Sequence, residues 1–140
     1  MAEIDDDVIE IGINQNRLVS KEERISTGWA IPCVLFHIPS NGPSSPQIGH
    51  YSNLGINVDD TKLKQFLFKA KEVLGPNMKV TIRGSHLYGC DPGTLEHQLK
   101  TRVKVLNLLD QIGFTSDQLD IEWGKDHEKT YIECNGATGE

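Results

Sequence analysis

Ala30-Ile31-Pro32-Cys33-Val34-Leu35-Phe36-His37 is the run on which the fold turns. Almost wholly apolar and soon closed by Pro39, it is too short for an ordinary helix and reads as a buried β-strand with Cys33 at its mouth. The segment that follows, Pro39-Ser40-Asn41-Gly42-Pro43-Ser44-Ser45-Pro46, holds three prolines and three serines in eight residues. Proline fixes φ and gives up an N–H, so this stretch predicts a flexible loop. Taken as far as Gly49, the loop is long enough to bring His50 back beside Cys33.

Upstream, residues 8–14 alternate with Ile9, Ile11 and Ile13 on one side. Leu18 and Val19 follow the polar turn Asn14-Gln15-Asn16, which predicts a pair of strands. Downstream, Leu63, Phe66, Leu67, Ala70, Val73 and Leu74 fall on one face of a helix over 60–74, with Asp59 or Asp60 as N-cap and Gly75-Pro76 as the stop. Residues 79–83 read as a strand, 84–89 as a glycine-bounded loop, and Asp91-Pro92-Gly93-Thr94 as a turn opening a second helix. The buried stripe of that helix is expected at Leu95, Leu99, Val103, Leu106, Leu109 and Ile112, and Gly113 ends it. Residues 119–123 and 129–134 flank Gly124-Lys125-Asp126-His127-Glu128 as a terminal hairpin. Together these elements predict one compact α/β domain over residues 1–140 whose helices cover a mixed sheet, with residues 1–7 as an acidic tail.

Composition removes several classes of function. A chain of 140 residues buries roughly two-thirds of its extended surface and needs no disulfide staple. No apolar run approaches the ~20 residues that span a bilayer, which predicts no membrane insertion. Met1 to Asp7 is acidic where a secretory signal is basic and then apolar, so the expected location is cytoplasmic. A formal charge of −6 repels phosphate backbones and argues against nucleic acid as a partner. Three cysteines fit neither a disulfide framework nor paired zinc knuckles, so at least one is expected as a free thiol.

A thiol attacks carbonyl carbon only as thiolate, and an enzyme that uses one sets a base beside it and a donor where the oxyanion forms. Thr27 lies six residues before Cys33, and His50 seventeen after. One cysteine, one histidine and one threonine suffice for such a site. Alternatives stand beside it. A cysteine in an apolar strand is commonly a small buried hydrophobe. His37 is a rival base, because even separations share a strand face. A zinc site drawn from Cys33, His37 and His50 matches no closed structural pattern. Gly84 and Gly89 bracket four residues, but the Lys-Ser/Thr of a phosphate loop does not follow.

In this order, the threonine, the Cys33-Val34 strand start, the Gly49-His50 step, the helix, the Arg83-Gly84-Ser85-His86-Leu87-Tyr88 strand exit, the second helix with Gly113-Phe114, and the last stretch from Trp123 to Glu133 resemble the chemoreceptor glutamine deamidase family, CheD. The resemblance covers roughly residues 25–140. It implies a mixed β-sheet sandwich flanked by two main amphipathic helices. It also implies a catalytic set of Cys33, His50 and Thr27, a substrate-binding exit at Gly84, Ser85 and His86, and neither cofactor nor metal. The implied activity is deamidation of glutamine side chains in a protein substrate, a chemoreceptor-like helical bundle, through a thioester. The implied partner is a CheC-like phosphatase. The chain departs from the family at Ile31-Pro32, where Gly-Ser is usual, and Pro32 removes one N–H that could have served an oxyanion. That departure makes a rival reading: a non-catalytic protein-binding module that keeps the fold. A thiol amidohydrolase acting on another substrate is the third.

Overall fold

The computed structural model describes residues 8–27, 33–42, 44–51, 61–85, 92–124 and 132–136. The elements are β1 (Val8–Glu10), β2 (Gln15–Leu18), β3 (Arg24–Ser26), β4 (Val34–Ile38), β5 (Gln47–Tyr51), α1 (Thr61–Val73), β6 (Val80–Gly84), α2 (Pro92–Ile112), β7 (Leu119–Trp123) and β8 (Glu133–Asn135). Five strands form one sheet in the order β2-β5-β4-β6-β7, antiparallel except for the β6–β7 pair. A smaller sheet runs β1-β3-β8, with β1 parallel and β8 antiparallel to β3.

The apolar run of β4 explains the layering, because successive side chains of a strand point to opposite faces. Val34, Phe36 and Ile38 join Leu63, Phe66 and Leu67 of α1 and Val105, Leu108 and Leu109 of α2 in one core. Leu35 and Cys33 turn the other way and meet Ile25 of β3 and Cys134 of β8 in a second core. The protein is therefore an α/β domain of three layers: the small sheet, the large sheet, and two helices on the large sheet's outer face. Each Leu, Ile or Phe side chain fully buried in these cores contributes about 1.5–3 kcal/mol. Phe36 packs edge-on against Tyr51 and Phe66, with ring centroids 5.9 and 6.0 Å away. Gly49, opposite Phe36, leaves the space this cluster needs, since a Cβ there would come within 3.0 Å of the Tyr51 ring and 3.2 Å of the Phe66 ring.

The helix over 60–74 forms as α1, and Leu63, Phe66, Leu67 and Ala70 are buried. The positions expected for its N-cap lie outside the described residues, as does the acidic tail. The second helix ends at Gly113 in a Schellman arrangement: at φ +103 Gly113 donates to Asp110 O at 3.1 Å, and Phe114 donates to Leu109 O at 3.0 Å.

Four expectations need correction. The stripe expected on α2 is only in part its buried face: Leu109 is buried and Ile112 packs against the core as expected, but Leu99, Val103 and Leu106 are exposed, while Gln98, Thr101, Val105 and Leu108 are buried. Apolar residues lie on two sides of this helix, and the sheet takes the side that carries Gln98 and Thr101. The first two strands do not pair with each other, since β1 joins β3 and β2 joins β5. Nor do the last two form a hairpin: β7 lies beside β6 and β8 beside β3, in different sheets. Finally, the proline-rich segment is a tied hairpin turn between β4 and β5. Asn41 and Ser44 exchange backbone hydrogen bonds of 3.0 and 2.9 Å, and the Asn41 amide donates to Val73 O at 2.6 Å.

Candidate functional site

Register decides what the β4–β5 hairpin brings together. Leu35 stands opposite His50, and paired residues share a face. Cys33 lies two residues before Leu35 and therefore on the same face. The thiol and the imidazole thus enter the layer between the sheets one diagonal step apart, a spacing of about 7–8 Å between backbones that two side chains can close. Both are buried, Cys33 with 6% of its surface exposed and His50 with 5%.

Thr27 closes this layer from the small sheet. Its N–H donates to Ile132 O at 2.9 Å, and its hydroxyl accepts the Ile132 N–H at 2.9 Å, so the exit of β3 is clamped to the approach of β8. Its backbone carbonyl faces the His50 ring and draws the ring's pKa upward, as does Glu10. Burial outweighs both and leaves the pKa below the usual histidine value. Neither ring nitrogen completes a well-aligned hydrogen bond. Burial alone pushes the Cys33 thiol up. The resting pair is accordingly neutral thiol and neutral imidazole, and not the thiolate–imidazolium pair of an activated cysteine.

The rival base is too far away. His37 shares the face of Cys33, but four residues along a strand is about 13 Å. Among the described residues, no group of three or more His, Cys, Asp or Glu side chains is placed to hold a metal ion. Cys134 lies in the same core as Cys33, and burial pushes its thiol up to about 11. Cys90 lies outside the described residues.

Gly84 and Ser85 support the backbone of Cys33. Gly84 has φ +105, and a Cβ there would sit 2.1 Å from Cys33 O. Ser85, fully buried, donates its N–H to Cys33 O at 2.9 Å. His86 lies outside the described residues. The residue that sequence reasoning missed is Arg102 of α2. Its guanidinium bonds Ser85 O and Oγ and donates to Gly124 O at 3.1 Å, and it stacks over Trp123 at 5.3 Å. Gly124 in turn donates to Gly84 O at 2.7 Å, so one side chain fixes two strand exits beside Cys33. An isolated arginine among exposed helix residues carries no such signal in the sequence.

A groove of about 830 Å³ runs along β2, and Cys33, His50 and Thr27 are not among its described lining residues. No helix among the described residues is long and apolar enough to cross a membrane. No protein-family model matches the chain, and no curated protein matches it.

Proposed function

We propose that the protein is a cysteine-dependent amidohydrolase of the CheD-like kind, which deamidates glutamine side chains in a protein substrate, with a chemoreceptor-like helical bundle as the target. One observation carries the reading: Cys33 and His50 enter the same interlayer space a diagonal step apart, with Thr27 against the imidazole. A neutral pair suits general-base attack. His50 takes the Cys33 proton as Sγ bonds to the carboxamide carbon, and the imidazolium then protonates the departing nitrogen, which leaves as ammonia. Water, deprotonated by the same ring, cleaves the thioester to glutamate and restores the thiol. Thr27, through its carbonyl, holds the ring in place. The Cys33 N–H is the oxyanion donor nearest to hand, since Pro32 offers none, and loss of such a donor costs on the order of a hundredfold in rate.

A second reading has its own support. The near-complete burial of Cys33 and its raised pKa suit a binding module in which the thiol is only core. Mass mapping of a receptor cytoplasmic fragment after incubation separates the two: glutamine-to-glutamate conversion that disappears in Cys33→Ala supports the hydrolase, whereas capture of the fragment without conversion supports the binder.

A further inference from the structure

Strand β2 is one of the two outer strands of the large sheet, and all four of its residues are exposed. In an antiparallel pair, residues alternate between those that bond the neighbour and those that face away. Val19 donates to Pro46 O at 2.8 Å in the register that sets Leu18 opposite Gln47. Two-residue alternation then turns Arg17 and Gln15 toward β5, and Asn16 and Leu18 outward. The main-chain N–H and C=O groups of those two residues have no partner among the described residues.

The groove of about 830 Å³ follows this edge, with Leu18 and Phe66 as its apolar floor. Lys62 and Lys69, two turns apart on α1, lie along one wall and make no ion pair among the described residues. They stand about 10 Å apart along the helix axis, within reach of carboxylates a few positions apart on an added strand. Arg17, also in the lining, is paired with Glu23. Glu10 is the single carboxylate among the described lining residues, so these carry a positive excess in a chain of net charge −6.

We propose that the outer edge of β2 docks an extended acidic peptide segment of a partner protein. The segment adds as a further strand on Asn16 and Leu18, with its carboxylates against Lys62 and Lys69. Strand addition of this kind draws affinity from main-chain hydrogen bonds and selectivity from side chains along the groove. The surface is separate from Cys33 and does not depend on the hydrolase reading.

The probe is a blocked octapeptide of alternating Glu and Val, titrated by fluorescence anisotropy, with the Lys-Val peptide as control. Binding of the acidic peptide alone, weakening with added salt, is expected. Lys62→Glu combined with Lys69→Glu should weaken it by about tenfold or more. Leu18→Pro removes one outward N–H and keeps the Val19 bond to Pro46, so it should weaken binding similarly with the far-UV circular dichroism unchanged; proline is tolerated at such an edge. If Leu18→Pro unfolds the protein, slowed amide exchange at Asn16 and Leu18 on peptide addition takes its place. No binding at millimolar peptide, equal binding of the Lys-Val control, or binding indifferent to the lysine charge reversals overturns the proposal.

Discussion

Gly84→Ala isolates the support beneath Cys33. At φ +105 a side chain costs about 1–3 kcal/mol in backbone strain. Its Cβ would also stand 2.1 Å from Cys33 O, well inside contact distance, and the obstacle is main chain and not a flexible side-chain tip. Relief requires β4 and β6 to separate where Val34 pairs with Gly84, at an overpacking cost of about 1–3 kcal/mol. It also disturbs the Ser85 N–H bond to Cys33 O, worth roughly 1 kcal/mol. The expected loss is about 3–7 kcal/mol in all, a large share of the roughly 5–15 kcal/mol that holds a domain together. Gly42→Ala is the control. Gly42 also has positive φ, at +56, but nothing lies within 4 Å of the added Cβ, so only strain of about 1–2 kcal/mol applies. Urea unfolding followed by far-UV circular dichroism should put the Gly84→Ala midpoint below that of Gly42→Ala by about 0.5 M or more at an m of about 1–2 kcal/mol/M. Equal midpoints would refute the contact between Gly84 and the Cys33 carbonyl.

Arg102→Met should cost about 2–4 kcal/mol in the same assay, because it leaves the carbonyls of buried Ser85 and half-buried Gly124 without their donor; Arg102→Lys should not rescue it, since one ammonium cannot span both exits as the fork does. On α2, Leu109→Ala should cost about 2–5 kcal/mol, whereas Val103→Ser should stay within about 0.5 kcal/mol, a contrast that checks which face of the helix meets the sheet. His50 has a lowered folded pKa, so the unfolded chain binds the extra proton: its contribution to stability is complete above the unfolded value near 6.5 and declines as pH falls through that value toward the folded one. Cys134 works in the opposite direction. Its thiol stays protonated in the fold up to about 11, so stability declines as pH rises from about 9 to 11, which pH-dependent urea midpoints should register and Cys134→Ala should lessen, the buried Cys33 thiol keeping a part of the decline. If His50 is the general base, the acid limb of kcat/KM lies below about 6.5, the value of an unperturbed imidazole.

The parts of the fold that were legible in the sequence are those set by local periodicity. Helix α1 reads cleanly because its apolar residues form one stripe between an acidic start and Gly75-Pro76. Helix α2 reads correctly in extent and C-terminal stop but not in orientation, because Leu99, Val103 and Leu106 imitate a core face. The true core face includes Gln98 and Thr101, and the Thr101 hydroxyl is satisfied by His97 O at 3.0 Å. Alternation in residues 119–123 gives strand β7, and the described end of 129–134 runs into β8, but alternation does not give their neighbours. Pairing is fixed by contacts far apart in the chain, as Ile25 with Cys134 illustrates. The same limit holds at the site. The resemblance marks Thr27, Cys33 and His50 as candidates, but Leu35 opposite His50 is a matter of register, and the pKa directions follow from burial between two sheets that no single segment announces.

Ammonia release from a receptor cytoplasmic fragment, measured for the wild-type protein, Cys33→Ser and His50→Ala side by side, tests the thiol–imidazole pair most directly. Release by the wild type that falls to background in both variants, with unfolding midpoints showing each variant folded, is the predicted result. Undiminished release by either folded variant contradicts the pair as the source of the chemistry, and the absence of release from the wild type contradicts the hydrolase reading itself.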